Sequence, residues 1–397
     1  AANGDPGPGG FGGVGGEGLG PALSAAEVAI LEGAKTAPGA MALLYPYDKT
    51  VWPLGILAPL IQWSAPPQGK GAGLLLTLTG QNFAFRGMFA RTTALATGAT
   101  LQRHPIPQDV WQAATRTVAG GELTLTVTVL SSGKAYGPLT QTWKVAKGGL
   151  RGTVYYQSYG TDLVKNDTGA VAGDGRFGGA TLAIRGGSTD PTLVAGATGG
   201  HGACRVCHSV NAHGTRMVVQ HGDDYTVSGA YDLLKATSEK LYPSSTAGKL
   251  GWVGMTPDGK LGLGNAAPLS GDANIGNSGL YDMDTGAPLV APGLSSFVTK
   301  AGFPMFSPDA KKVAFSFIAG PGNAAMGQGD SNKLVVMDFD APTRTFSNPQ
   351  LLYQGAVGSR PGWPAFWPTG KGVVFQRELP GQSYNEYFGT RYGGRGD

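Results

Sequence analysis

The chain of 397 residues contains two cysteines, Cys204 and Cys207, and a histidine, His208, directly follows the second. This C-x-x-C-H spacing is the attachment signature of c-type haem. Its two thiols form thioethers with the two vinyl groups, and the histidine nitrogen then reaches the iron from one side. We therefore predict one covalent haem c, bound through Cys204 and Cys207, with His208 as a metal ligand.

A disulfide between Cys204 and Cys207 is the alternative interpretation of the same spacing. A thioredoxin-like redox motif would require a strand, the motif and then a helix. The residues after His208 instead have the pattern of a β-hairpin. Both cysteines fall at this spacing, and one of only five histidines follows them. The haem hypothesis is therefore favoured over the disulfide.

The predicted hairpin also indicates which residue could be the second axial ligand. A turn at residues 212–213 would place Met217 opposite His208 and His221 opposite Cys204. Directly opposed side chains are about 5 Å apart, which is too close for His208 and Met217 to hold an iron between them. His221 lies about 13 Å further along the same face, at about 3.3 Å per residue, and is the preferred distal ligand. The alternatives are His213 in the turn, then Met217, with His201 and His104 also open.

The elements that position the motif belong to an internal repeat. Each copy has an apolar strand, a four-residue turn and a second strand with alternating apolar residues. The copies span residues 209–220, 253–264, 304–316 and 364–376, with turns centred on Gly214, Gly259, Ala310 and Gly370. Four short strands per 40–60 residues is the period of a propeller blade, so the repeat predicts a β-propeller.

The Pro-Asp-Gly-type turns of this repeat resemble those of TolB-like β-propellers. Over residues 150–397 the chain is similar to bacterial surface proteins in which such a propeller carries a C-x-x-C-H motif just before a strand–turn–strand repeat. It departs from that pattern at His213, where an Asp is usual, and in its short last blade. The resemblance implies the architecture and the haem more than it implies a reaction.

Residues 40–149 have strands of period two separated by Gly-containing turns, without a helical period. This pattern predicts an antiparallel β-sandwich, and the stretch from Tyr47 to Trp63 with Trp143 resembles a fibronectin type III-like or immunoglobulin-like domain. Before it, residues 23–39 form a short helix and linker, with Ser24 and Glu27 at capping-box spacing. Residues 1–22 form a Gly-rich tail. The predicted fold is all-β.

The composition favours an extracytoplasmic protein. Charged residues make up 14% of the chain, against about 25% in an ordinary soluble protein. Basic residues are scattered and the net charge is only +4, which excludes a nucleic-acid-binding stripe. No apolar run approaches the roughly 20 residues of a transmembrane helix. We interpret the sequence as a mature chain whose targeting segment has been removed.

The Gly-rich tail predicts self-assembly. Its lack of side chains suits close backbone approach to a sheet edge, and an incomplete last blade would offer such an edge. We expect residues 1–22 to dock on a neighbouring copy. A contact of this kind that does not close into a ring propagates into a filament.

Three functions remain in competition. The first is an extracytoplasmic monohaem cytochrome that carries electrons or uses its haem structurally. The second is a haem oxidoreductase with an open iron site, and the third is a surface-binding module with a Cys204–Cys207 disulfide. We favour a carrier over an enzyme, since several candidate ligands near the motif could occupy the second position on the iron. No hydrolase, nucleotide-binding or zinc-protease motif is present. Two acidic pairs, Asp282/Asp284 and Asp338/Asp340, are interpreted as turn-formers rather than as a calcium site.

Overall fold

A computed structural model describes most of the chain: residues 22–33, 41–64, 73–90, 93–94, 101–166, 178–222, 227–235, 239–243, 249–265, 277–319, 332–356 and 359–377. The predicted tail, apart from Ala22, lies outside these residues. The chain divides into two compact units, Ala1–Cys204 and Arg205–Asp397. The predicted domain boundary at 149/150 coincides with the end of one strand, and the first unit continues through a further small sheet beyond it.

The first unit begins with the predicted short helix. Helix α1 spans Ala25–Glu32 and starts from a capping box, in which the Ser24 side chain accepts from the Glu27 backbone N–H while the Glu27 carboxylate accepts from Ser24. This reciprocal pair satisfies two backbone donors that the first helical turn leaves open. Leu31 is buried and joins a small cluster with Leu75 and Leu130. The capping-box prediction is confirmed.

Two sheets follow helix α1 and share one core. Their strands are β1 Leu43–Tyr45, β2 Val51–Leu54, β3 Leu60–Ser64, β4 Gly73–Gly80, β5 Phe83–Phe89, β6 Thr93–Ala94, β7 Leu101–Pro105, β8 Glu122–Ser131 and β9 Lys134–Gly149. One sheet has the order β1-β3-β7-β6 and the other β2-β9-β8-β4-β5. The rings of Trp52, Trp111 and Trp143 meet edge to face in the core at centroid distances of 5.5–6.2 Å.

Two features of this region differ from the prediction. Helix α2 spans Gln108–Thr117, where no helix was expected. Its buried residues Trp111, Ala114, Thr115 and Val118 recur at the i, i+3, i+4 and i+7 spacing of one helical face. In addition, β2 pairs with β9 in parallel, so the sheets are not wholly antiparallel.

A three-stranded antiparallel sheet completes the first unit. It contains β10 Thr153–Thr161, β11 Gly178–Arg185 and β12 Thr192–Ala195. Most of the predicted Gly/Asp loop at 166–179 lies outside the described residues. A single 3-10 turn, His201–Ala203, follows this sheet, and Cys204 comes directly after the turn as the last residue of the unit.

The second unit consists of antiparallel meanders. Three sheets have four strands and the last has two among residues 359–377. The strands are β13 Arg205–Val210, β14 Arg216–His221, β15 Ser228–Asp232 and β16 Lys240–Leu241; β17 Gly254–Met255, β18 Leu261–Gly264, β19 Gly279–Asp282 and β20 Pro288–Leu289; β21 Lys300–Phe306, β22 Lys312–Ile318, β23 Lys333–Asp340 and β24 Thr345–Gln354; β25 Pro361–Phe366 and β26 Val373–Arg377. A single-turn helix, α3 Leu294–Phe297, lies between β20 and β21.

The four predicted strand–turn–strand repeats are confirmed as β13–β14, β17–β18, β21–β22 and β25–β26. Each turn has a residue with positive φ at the predicted centre: Gly214 (66°), Gly259 (72°), Ala310 (58°) and Gly370 (69°). The first strands lie side by side, with β13 against β17, β17 against β21 and β21 against β25. Four-stranded meanders arranged in this way are propeller-like, and the chain is all-β as predicted.

No helix within the described residues is long and apolar enough to cross a membrane.

Candidate functional site

The C-x-x-C-H segment crosses the junction between the two units, and its first cysteine ends the first unit. The Cys204 backbone N–H donates to the His201 carbonyl at 3.0 Å, and the thiol lies against Gly179. A Cβ at Gly179 would come within 2.3 Å of the Cys204 Sγ, so only glycine leaves room for this thiol. Cys204 is buried and forms no disulfide.

The second cysteine opens the second unit's first hairpin, on a β-bulge. Val206 pairs with Gln220 and Ser209 with Val218, which leaves Cys207 and His208 together opposite the single residue Val219. Two residues facing one is the definition of a bulge. Cys207 has a left-handed backbone, with φ of 54°, and it is buried and forms no disulfide.

The register predicted for this hairpin is wrong. Val210, not His208, pairs with Met217, and Arg205, not Cys204, pairs with His221. The distance argument that selected His221 therefore loses its basis.

The turn chemistry explains the difference. The turn is centred one residue later than the 212–213 position on which that register was based, and Gly214 donates its backbone N–H to the Asn211 carbonyl. The Asn211 side chain accepts from the backbone N–H groups of Thr215 at 2.9 Å and Arg216 at 2.7 Å. These side-chain-to-backbone bonds hold the two ends of the turn together. The prediction overlooked Asn211.

His221 belongs to a largely buried charged cluster beside the motif. Its Nε2 lies 2.9 Å from Glu239 Oε1. Glu239 Oε2 accepts from Arg205 Nη2 at 2.7 Å and from Nε at 2.9 Å. Burial alone would raise the pKa of Glu239, but the hydrogen bonds from His221 and Arg205 outweigh it and lower that pKa. The carboxylate is thus held ionised, and it orients both an imidazole and the arginine inside C-x-x-C-H.

The other candidate ligands have different surroundings. Met217 is fully buried in the second unit and His104 is buried in the first. His213 lies in the β13–β14 turn, where its backbone N–H donates to the Pro257 carbonyl. His201 is exposed in the 3-10 turn.

The left-handed backbone of Cys207 recurs at the equivalent position of every repeat. A non-glycine residue with positive φ precedes each turn centre by seven positions: Cys207 (54°), Trp252 (52°), Phe303 (49°) and Trp363 (52°). Ladders β21–β22 and β25–β26 are irregular at these residues, as β13–β14 is at Cys207. Cys207 therefore takes the position that an aromatic residue holds in the other three repeats.

The three aromatic side chains meet one another. Phe303 and Trp363 stack with centroids 4.2 Å apart and an interplanar angle of 23°. Trp252 lies 5.8 Å from Phe303 and 5.2 Å from Trp363. The Trp252 backbone N–H donates to the Cys207 carbonyl at 3.3 Å. The three left-handed positions thus bring three rings together, and Cys207 adjoins them through Trp252.

A sequence signal for this arrangement lies immediately before the predicted repeats. Three copies contain a basic residue, any residue, glycine and an aromatic: Lys249-Leu-Gly-Trp, Lys300-Ala-Gly-Phe and Arg360-Pro-Gly-Trp. In the first copy the same four positions are Cys204-Arg-Val-Cys. Both cysteines thus replace residues of the repeat rather than being inserted into it.

One carboxylate of each acidic pair, Asp282 and Asp340, forms a turn, whereas Asp284 and Asp338 pair with the side chains of Arg216 and Lys312. Asp282 Oδ1 accepts from the backbone N–H groups of Asp284 and Thr285, at 2.9 and 2.8 Å. Asp340 accepts from Thr343 in the same manner. The turns also border a cleft of about 520 Å³ that includes His213 and Asp309. Within the described residues, no group of three His, Cys, Asp or Glu side chains could hold a metal ion.

The sequence matches no protein-family profile and no curated protein. Among solved structures, hydrazine synthase from Kuenenia stuttgartiensis aligns at 14% identity and a TM-score of 0.33, covering 59% of this chain and 63% of that one. This chain thus spans slightly less than two thirds of it.

Two further solved structures cover more of the chain. A Bacteroides uniformis protein described as a 6-phosphogluconolactonase aligns at 12% identity and a TM-score of 0.31, covering 80% and 95% of the two chains. Kluyveromyces lactis Hsv2 aligns at 10% identity and a TM-score of 0.33, covering 85% and 90%. Likenesses this weak do not identify a function.

Proposed function

We propose that the protein is a monohaem c-type cytochrome, with haem c attached to Cys204 and Cys207 and ligated by His208. The observation that carries the proposal is the complete C-x-x-C-H segment, which holds the chain's two cysteines. The donor residues fit haem c, because two cysteines without a disulfide lie three positions apart and a histidine follows the second directly. The aromatic cluster beside Cys207 fits it too, since a porphyrin is a large flat apolar ring.

Bound haem would supply an iron that accepts and releases one electron. The residues of this chain would attach the group, ligate it and shield it from water. We propose His221 as the second metal ligand, supported by its carboxylate partner. Ligating histidines usually donate their other ring N–H to a carboxylate or carbonyl, and the Nε2 of His221 faces Glu239. His221 would then ligate through Nδ1.

The proposed location is outside the bacterial cytoplasm, at the cell surface or in the periplasm. Covalent haem attachment takes place there, and a chain with only 14% charged residues is in keeping with that environment.

A spectrum tests the attachment. The chain is produced in a bacterium with periplasmic c-type cytochrome maturation, and its reduced pyridine haemochrome is recorded. We expect a c-type spectrum equivalent to one haem per chain. The chain with Cys204→Ser and Cys207→Ser should lack it, as should the original chain from a host without maturation. A haem-free product from the competent host, with a Cys204–Cys207 disulfide by mass spectrometry, would support a surface-binding module instead.

The axial ligand is tested in the same preparation. With two protein ligands, the ferric spectrum is low-spin and indifferent to cyanide. His221→Ala should convert it to a high-spin form that binds cyanide, whereas His213→Ala should not. A wild-type spectrum that is already high-spin and shifts with cyanide would favour an oxidoreductase with an open iron site.

We further propose self-assembly into a homo-oligomer or filament through residues 1–22. Half of the first twenty residues are glycine, and the β25–β26 sheet has only two strands among the described residues. Light scattering of the chain lacking residues 1–22 is the test, and we expect a smaller particle than the full chain forms. An unchanged assembly would exclude tail exchange, and a monomeric full chain would exclude the oligomer.

A further inference from the structure

We propose that Trp252, Phe303 and Trp363 form the surface on which the porphyrin attached at Cys207 packs. The inference rests on the proposed haem and adds the residues that receive its ring. All three rings belong to the second unit.

Repeat position is the first argument. Four left-handed residues, Cys207, Trp252, Phe303 and Trp363, each lie seven positions before a left-handed turn residue. The first strands of their hairpins are neighbours in the order β13, β17, β21, β25. At three of the four positions the residue is aromatic, and the three rings contact one another. Cys207 has the fourth position and nearly the same φ, so we expect its side chain to be directed as theirs are.

The chemistry of the two groups is the second argument. Phe303 is buried, whereas Trp252 and Trp363 are only partly covered. Part of the apolar surface of both tryptophan rings is therefore exposed to solvent, and its burial would be favourable. A thioether at Cys207 would place the flat porphyrin ring at the position that an aromatic side chain holds in the other three repeats. Offset or edge-on contacts of such rings are favourable beyond the area they bury.

Covering the porphyrin also has an electronic consequence. An apolar shell that excludes water disfavours the more highly charged ferric iron relative to the ferrous iron, and so raises the reduction potential. Removing one of the open tryptophans should therefore lower the potential.

Nuclear magnetic resonance of the reduced, diamagnetic holoprotein is the direct test. The indole N–H resonances of Trp252, Trp363 and Trp367 are assigned by single Trp→Phe substitutions. A porphyrin that packs on the cluster shifts nearby indoles by its ring current. We expect Trp252 and Trp363 to lie outside the normal indole range, with nuclear Overhauser contacts to porphyrin protons. Trp367, in the same hairpin as Trp363 but 54% exposed, should resonate normally.

Redox titration provides the second measurement. Trp252→Ala should lower the reduction potential, and Trp367→Ala should leave it unchanged. Normal indole shifts and unchanged potentials in a protein that does contain haem would overturn the packing inference and leave the proposed cytochrome intact. A protein without haem by pyridine haemochrome would instead overturn the proposed function.

Discussion

Ala310 stands where each of the other three repeats has a glycine with the same left-handed backbone, namely Gly214, Gly259 and Gly370. Its φ of 58° is strained for a residue with a Cβ, by about 1–2 kcal/mol. We expect Ala310→Gly to stabilise the protein by up to about 1 kcal/mol, because relief of strain outweighs the added freedom of the unfolded chain. Thermal or denaturant unfolding measures the change.

The reverse substitution is the matched control. A Cβ at Gly214 would meet nothing within 4 Å, so Gly214→Ala tests backbone strain alone, at φ of 66°. It should destabilise by about 1 kcal/mol. Gly148→Ala, at an equally open position without positive φ, should not destabilise. Equal effects at Gly214 and Gly148 would contradict the assignment of strain to the turns.

The turn carboxylate Asp309 makes stability depend on acid pH. The Ser307 hydroxyl, which donates to Asp309 Oδ1 at 2.6 Å, and the Lys311 backbone N–H hold the pKa of Asp309 below its ordinary value of 3.8. A lowered folded-state pKa gives stability that is present above the unfolded pKa and is lost as the pH falls through the folded one. We therefore expect stability to drop below about pH 4.

Asp309→Asn isolates this contribution. The amide oxygen can still accept the two hydrogen bonds, but the side chain does not titrate. Between about pH 5 and pH 3, the range in which carboxyl groups titrate, the variant should therefore lose less stability than the parent does. Chemical unfolding at each pH provides the measurement. Parallel pH profiles for the two proteins would show that Asp309 does not contribute.

At the scale of elements, the repeat makes a prediction about the haem-free chain. If the bulge at Cys207 is a fourth ring position, then with Cys204→Ser in place, Cys207→Phe should give a more stable protein than Cys207→Ser. Burial of a phenylalanine contributes about 1.5–3 kcal/mol, and Phe303 shows that the backbone accepts this residue at φ of 49°. Denaturant unfolding without haem measures the difference.

The neighbouring position provides the control. His208→Phe adds a similar ring one residue away, outside the repeat's ring position, and should give no such gain. If Cys207→Phe is no more stable than Cys207→Ser, the equivalence of Cys207 with the three aromatic residues is wrong.

The same elements show what could be predicted from the sequence. The four turn centres and the Ser24–Glu27 capping box follow from local chemistry, because glycine and capping residues have strong conformational preferences. The hairpin register at Cys207 does not, because one bulge shifts every later pair and has no fixed sequence pattern. The sequence of α2 has the apolar periodicity of a helix, but the strand patterns around it led to a prediction without a helix there.

Only part of the candidate site could be predicted from the sequence. Cys204, Cys207 and His208 form a contiguous motif and require no knowledge of the fold. The Glu239 partner of His221 and the ring cluster depend on contacts between residues 18 positions apart or in different sheets. Only the basic–x–Gly–aromatic repeat could have indicated the rings beforehand, and it becomes visible once the bulge positions are aligned.

For the whole molecule, attachment of one haem is the central claim, because the ligand and packing proposals both depend on it. The C-x-x-C-H segment that would hold the haem contains the two cysteines of the chain, Cys204 and Cys207.

Mass spectrometry of the purified chain tests that claim most directly. After production in a host that matures c-type cytochromes, the intact mass should exceed the sequence mass by one haem. The proteolytic peptide spanning Cys204–His208 should carry the whole of that increment through both thiols. A chain at its sequence mass, or two hydrogens below it with Cys204 and Cys207 joined, would contradict the account.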